Sequence, residues 1–179
     1  MDFKNHLKTV MNHKKEVFKL CCVAGIPLQG ITHDLSKFSP TEFWESAKYY
    51  QGNRSPISAC KEDKGYSDAW QHHKGRNKHH WEYWVDKLSD GGVPIQMPYK
   101  YAVEMVCDII SASKTYNGAN FRQDIPYSYF VENVSNRMIH PKTNRFVGRI
   151  LNAYKTSGII ALLPTYTKRI YREIESQPI

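Results

Sequence analysis

His33 and Asp34 stand side by side downstream of His13, and the paired histidines His72-His73 and His79-His80 and then Asp108 follow them along the chain. Neutral imidazole nitrogen and ionised carboxylate oxygen together suit iron, manganese, zinc, cobalt or nickel, so this order reads as a candidate transition-metal site. An adjacent His-Asp pair can aim both side chains at one ion only if the backbone there is tightly held. The pair therefore needs scaffolding on both sides.

That scaffolding is visible in the hydrophobic spacing. Phe3, Leu7, Val10, Met11, Val17, Phe18 and Cys21 recur at three- and four-residue intervals, which predicts an amphipathic helix from Phe3 to Ala24 with these residues on its buried face and His13 at the edge. Gly25 ends that helix, Pro27 opens the next, and Leu28, Ile31 and Leu35 give the second segment its own apolar stripe. Two antiparallel helices then bring His13 to His33. Ser39-Pro40-Thr41-Glu42 has the form of a capping box, with Glu42 reaching back, and predicts a helix from about Pro40 to Tyr50 that keeps Lys37 and Ser39 near the pair. Gly52 to Gly65 reads as a mobile loop, a candidate lid, and Ser89 to Pro98 as a second break. From Pro98 a helix through about Ser113 carries Asp108 among Ala102, Met105, Val106 and Ile109, with Glu104 one turn before it. A carboxylate in such a setting is costly to bury without a cation.

Helical phase sorts the central histidines. If Trp70 to Leu88 is one helix, Trp81, Trp84, Val85 and Leu88 mark its buried side, and His73, Asn77 and His80 fall on or beside it, while His72 and His79 point away. A break at Gly75 resets that phase, which keeps His79 as the substitute for His80. His6, on the same stripe as His13, is its rival. Trp44, Tyr49, Tyr50, Trp70, Trp81, Tyr83 and Trp84 read as core and pocket wall, and His140, beside Pro141, as a loop residue.

The stretch His13-Lys-Lys-Glu-Val-Phe-Lys-Leu-Cys-Cys-Val-Ala-Gly-Ile26, continued in Ile31-Thr-His-Asp-Leu-Ser-Lys-Phe38, resembles the opening of the HD-domain superfamily of metal-dependent phosphohydrolases. Its pattern is His, then His-Asp, then a distant Asp, all on helices, and Asp108 in Val103-Glu-Met-Val-Cys-Asp-Ile-Ile110 matches the last member. The resemblance covers about residues 6–115. It implies His13, His33, Asp34 and Asp108 as metal ligands, and Lys37 matches a lysine that many members carry three residues after the Asp. Binuclear branches add two histidines between the pair and the final Asp, here His73 and His80 by phase. The implied chemistry is attack of an activated water on phosphorus, with Asp34 and Lys37 in the catalytic machinery and Arg76 or Lys78 holding a second phosphate. One or two divalent ions of Mn, Fe, Co, Ni or Zn are the expected cofactor, and a nucleotide or another small phosphate ester the expected substrate. A rival within the same resemblance is a di-iron oxygenase.

Composition bounds these readings. The 179 residues, 41% hydrophobic and 13% aromatic, suffice for a packed core and exclude a disordered chain. Cys21, Cys22, Cys60 and Cys107 form no Cys-x-x-Cys, which predicts a reduced, cytoplasmic setting. The start lacks an apolar run of signal length, no segment approaches ~18 consecutive apolar residues, and no membrane contact is expected. The net charge of +8, from 25 Lys and Arg against 17 Asp and Glu, favours an anionic partner. Lys8, Lys14, Lys15 and Lys19 read as a solvated face of the first helix, whereas Lys74, Arg76 and Lys78 interleave with the histidines. The same charge supports a second rival, a non-catalytic basic helical module binding nucleic acid or protein, although no helix-turn-helix, zinc-finger or RNA-recognition motif is legible. Helix-like spacing over Tyr127–Met138, Asn144–Thr156 and Thr165–Glu175, with Gly158–Leu163 as a buried turn or short helix, makes residues 126–179 a scaffold. With no long alternating β pattern, the expectation is an all-α, HD-like bundle of about seven helices, residues 1–179 forming one domain.

Overall fold

The computed structural model describes residues 2–88, 91–133 and 137–178. The Asp2 carboxylate accepts the backbone N–H of Asn5 and opens α1 (Phe3–Val23), one of nine α-helices among the described residues. Gly25, at φ +72°, turns the chain into α2 (Pro27–Thr32). A Cβ on Gly30 would stand 2.9 Å from both Cys21 Cβ and the Phe18 backbone, so glycine lets α2 lie directly on α1. A 3₁₀ turn (Leu35–Phe38) leads into α3 (Pro40–Lys48), α4 (Pro56–Lys64) and α5 (Asp68–Lys74). A second 3₁₀ turn (Trp81–Trp84) precedes an antiparallel hairpin of β1 (Val85–Leu88) and β2 (Gly91–Pro94), with Val85 opposite Pro94. Then come α6 (Tyr99–Asn117), α7 (Ile125–Glu132), α8 (Pro141–Ser157) and α9 (Pro164–Glu175).

Helix α6 is the central post. Ala102, Val103, Met105, Val106, Cys107, Ile109 and Ile110 are all buried, because α1 packs on one side and α7, α8 and α9 on others. Val17, Leu20 and Cys21 of α1, Phe130 of α7, Phe146, Val147, Ile150 and Leu151 of α8, and Ile170 and Ile174 of α9 complete the core. All four cysteines are free thiols. No described helix is long and apolar enough to cross a membrane.

The all-α expectation holds, and several local expectations do not. The buried face of α1 is His6, Val10, His13, Val17, Leu20 and Cys21, whereas Phe3, Leu7, Met11 and Phe18 are exposed. The apolar residues form a band wider than one core-facing stripe, and spacing alone does not reveal which part of it meets the core. Gly52–Gly65 is not an unstructured loop, since Pro56 starts α4 within it. Trp70–Leu88 is not one helix: α5 ends at Lys74, and a turn, the 3₁₀ segment and β1 follow. Of the break expected over Ser89–Pro98, Ser89 and Asp90 lie outside the described residues, and Gly91–Pro94 is a strand. The helix expected over Tyr127–Met138 ends at Glu132, and residues 134–136 lie outside the described part. By contrast, Gly158–Leu162 is a 3₁₀ turn, in keeping with the turn or short helix expected over Gly158–Leu163.

Candidate metal centre

Asp34 sits at φ 55°, ψ 27°, the one left-handed residue other than glycine among the described residues. That conformation costs roughly 1–2 kcal/mol for an L-residue with a Cβ, so the surroundings must hold it in place. Lys14 does part of this. Its ammonium donates to the carbonyls of Ile31 at 2.7 Å and His33 at 2.6 Å, clamping the end of α2 to α1. Lys14 is therefore a structural cation rather than part of a solvated face. The bend at Asp34 turns its carboxylate and the His33 ring into one buried space.

Two groups of donors converge on the two oxygens of Asp34. On the helix-borne side, His13 of α1, His33, Asp34 Oδ2 and Asp108 of α6 form a set of four. His13 Nε2 lies 3.0 Å from Asp108 Oδ1 and 3.9 Å from Asp34 Oδ2, and His33 Nε2 lies 3.3 Å from Asp34 Oδ2 and 3.5 Å from Asp108 Oδ1. On the loop-borne side, His73 and His79 face Asp34 Oδ1, and His80 completes a second set. His73 Nε2 is 3.3 Å and His79 Nε2 3.4 Å from that oxygen, and His73 and His80 bring their Nε2 atoms to 2.9 Å. Donors held at about 2.0–2.1 Å from a shared ion stand roughly 3.0–3.4 Å from one another, and most of these separations fall near that range.

The nitrogens facing away from each cluster are already engaged. Glu104 Oε1 accepts from His33 Nδ1 at 3.0 Å and His79 Nδ1 at 3.1 Å, so one carboxylate oxygen ties a donor of each cluster. Glu42 accepts from His73 Nδ1 at 2.7 Å and His72 Nδ1 at 2.6 Å, and Ser111 Oγ lies 3.2 Å from His13 Nδ1. With Nδ1 occupied, the free nitrogens are His13 Nε2, His33 Nε2 and His79 Nε2. These three, with Asp34 Oδ1, are buried atoms without a hydrogen-bond partner. A buried polar atom left unpaired is costly, and four pointing into one space are what a bound cation would satisfy. The residues present fit a metal.

Electrostatics agree with that fit. Burial favours the neutral form of Asp34, but His33, Lys37 and His73 outweigh it and hold the carboxyl well below its usual range. Asp108 is likewise held ionised against burial by His13 and His33. Burial pushes His13 and His80 down, towards the neutral imidazole that binds metals. His33 runs the other way: burial disfavours its charge, yet Asp34, Asp108 and Glu104 raise it well above the ordinary value. Lys37 Nζ lies 2.7 Å from Asp34 Oδ2, and that carboxylate overcomes burial to raise the ammonium's affinity for its proton.

The expected residues divide as follows. His13, His33, Asp34, His73, His80 and Asp108 are brought together, with Lys37 beside them. His79, held only as a substitute, joins His80 instead of replacing it, because the chain leaves helical geometry after Lys74 and both rings turn inward. Asn77 fixes that turn, its amide donating to the His73 carbonyl at 2.8 Å and to Ser36 Oγ at 2.7 Å. His72 points to Glu42. His6 packs against Phe43 and Tyr50 and belongs to neither cluster. Glu42 does not reach back over its own helix; Ser39 Oγ accepts the Glu42 N–H, while the Glu42 carboxylate turns to the histidines. Its part in the site was not legible, because its partners lie some 30 residues away along the chain.

A cavity of about 600 Å³ opens onto both clusters. Arg76 and Lys78 do not line it. Both are exposed, Arg76 turned to the His72 carbonyl and Lys78 to the rings of Tyr83 and Tyr101, a consequence of the same break in the expected helix. The cations on its wall are Lys37, Arg54, Lys61 and Arg137, with Tyr50, Trp70, Trp81, Tyr116 and Tyr129 as flat surfaces. Arg54 is paired with Glu62, and Lys61 lies over the Trp70 ring. The expected lid is thus a wall: Asn53 through Ser58 and Lys61 all face the cavity.

The chain belongs to a family of unknown function, DUF5662, whose model matches residues 2–153 and so spans every residue of both clusters. No curated protein and no solved structure matches the chain.

Proposed function

We propose that this DUF5662 member is a metal-dependent phosphohydrolase acting on a nucleotide or another small phosphate ester. The observation that carries the reading is the convergence of the unpaired His13, His33 and His79 nitrogens and Asp34 Oδ1 on one buried space beside an open cavity. The order His13, His33-Asp34, Asp108 and its resemblance to the HD hydrolases add to it. His13, His33, Asp34 and Asp108 would hold one ion, and His73, His79, His80 and the second oxygen of Asp34 another. Divalent cations there supply Lewis acidity and an acidified water at neutral pH.

The chain's own groups do the rest. Asp34 divides its two oxygens between the clusters and keeps them at fixed separation. Glu104 and Glu42 hold the imidazoles with Nε2 inward, so no reorientation accompanies the reaction. Lys37, on the cavity wall, neutralises charge gathering on phosphoryl oxygens. Burial raises the Tyr116 phenol, which stays a hydrogen-bond donor at neutral pH. Lys61 and Arg137 meet further anionic groups, and Trp70 and Tyr50 offer faces to a ring.

The test is phosphate release from nucleoside monophosphates and simple phosphate esters by protein reconstituted with Mn, Co, Ni, Fe or Zn. Metal-dependent release is expected; a metal-loaded protein that cleaves none of them contradicts the reading. A di-iron oxygenase has one observation in its favour, the three imidazoles of the loop-borne cluster. Native iron with an oxygen-dependent optical change would favour it.

A further inference from the structure

The helices that carry His13 and the His33-Asp34 pair turn a broad apolar surface to solvent on the side away from the core. Leu7, Met11 and Phe18 form one stripe along α1, and Leu28, Ile31 and Leu35 stand beside them, Leu28 being 71% exposed. The two rows are continuous. Phe18 lies against Gly30, and Lys14, between Met11 and Phe18 on the same stripe, bonds the Ile31 carbonyl. Phe3, edge-on to Trp44 at 4.9 Å, extends the surface at one end, and Phe38 lies beyond Leu35.

Its size separates it from ordinary surface scatter. At about 200 Å² for a fully exposed large apolar side chain, the exposed parts of Phe3, Leu7, Met11, Phe18, Leu28, Ile31, Leu35 and Phe38 amount to roughly 760 Å². The largest apolar patch of a typical monomer is about 300–600 Å², while a stable pairwise interface takes about 800 Å² from each partner. The segment has a second peculiarity. Helix α2 buries Gly30 alone and directs its large side chains outward, yet it leads straight into the strained Asp34. Its backbone rests closely on α1 through Gly30, while Leu28 and Ile31 face solvent.

We infer that this face, formed by α1, α2 and the Leu35–Phe38 turn, is the interface between two copies of the chain. The matching of its area to one side of a stable dimer carries the choice of partner, and its charge pattern permits it. Lys4, Lys8, Lys15 and Lys19 run in a row along one flank of α1, outside the apolar stripe. Among the described residues Lys14 is the charge standing within the apolar stripe, and its ammonium is already taken by two carbonyls, while Lys37 of the Leu35–Phe38 turn is directed to Asp34. A self-complementary contact about a two-fold axis thus covers the apolar area without stranding a charge. The pairing clamps α2 from outside and stabilises the bend at Asp34. It does not depend on which reaction the metal centre performs.

The experiment is light scattering with size exclusion on the full chain at micromolar concentration, beside the double variant Leu28→Asp, Ile31→Asp. The wild type is expected at twice the chain mass of 20.8 kDa and the variant at the single mass with an unchanged helical circular-dichroism signal. Both positions point outward, and in case the variant misfolds, hydrogen exchange on the wild type gives an independent reading. Amides of residues 26–38 should lose protection on dilution into the monomer range while those of α8 do not. A wild type that is monomeric throughout overturns the inference, including one whose apolar face binds anionic vesicles or an acidic helical peptide instead. So does a folded variant that stays dimeric, or a dimer whose concentration-dependent protection lies elsewhere.

Discussion

The two donor clusters share Asp34 but are built by opposite means. The helix-borne cluster takes His13 from a 21-residue helix and Asp108 from a 19-residue one, both anchored by core side chains on the same turns. The loop-borne cluster takes His73 from the end of the seven-residue α5, and His79 and His80 from the turn beyond it. Apolar packing positions the first set. The second is positioned by polar contacts from Glu42, Asn77, Ser36 and Glu104. A site can therefore be half fixed by the core and half by a hydrogen-bond lattice, and the two halves should fail differently.

The largest effect belongs to the residue they share. Asp34→Ala is expected to bring phosphate release down to the metal-independent background, measured as initial rates with reconstituted protein. Next come variants that separate the halves: His79→Ala should keep the helix-borne ion and lose the other, and Asp108→Ala the reverse, as read by metal titration. Simultaneous loss of both ions in both variants would show one indivisible site. The buried carboxylates sharpen the contrast at smaller scale. Glu104→Gln should weaken both ions by about 10–100-fold, because Glu104 bonds a histidine of each cluster, whereas Glu42→Gln should weaken the loop-borne ion alone.

The smallest expected effect concerns His6, which neighbours the helix-borne cluster without joining it. Burial and Lys37 lower its pKa from 6.5 to about 4. Below pH 6.5 the unfolded chain takes up a proton that the native His6 refuses, so this residue's contribution to stability is present above 6.5 and lost as the pH falls towards 4. His6→Phe should remove that loss, narrowing the drop in urea midpoint between pH 7 and 4.5 while leaving metal content unchanged.

The same contrast explains what was legible in the sequence. His13, His33-Asp34 and Asp108 could be read because they lie on or beside helices whose period survives in the apolar residues around them. Glu104 could be placed near Asp108 for the same reason. The loop-borne half resisted because Gly75 ends the phase that had assigned His79 outward, and no periodicity governs a turn. Glu42, Lys61 and Arg137 reach the site from distant segments, and nothing local marks them. The exposure of Leu7, Met11, Leu28 and Ile31 was equally hidden, since an apolar residue reads the same whether it meets the core or another surface.

Metal content per chain tests most directly whether Asp34 holds two ions through its two oxygens. Chelator-stripped protein, resupplied with a divalent transition metal and desalted, should carry about two equivalents, and Asp34→Ala treated identically should carry almost none. A wild type that retains no metal, or an Asp34→Ala variant that retains both equivalents, would contradict that arrangement.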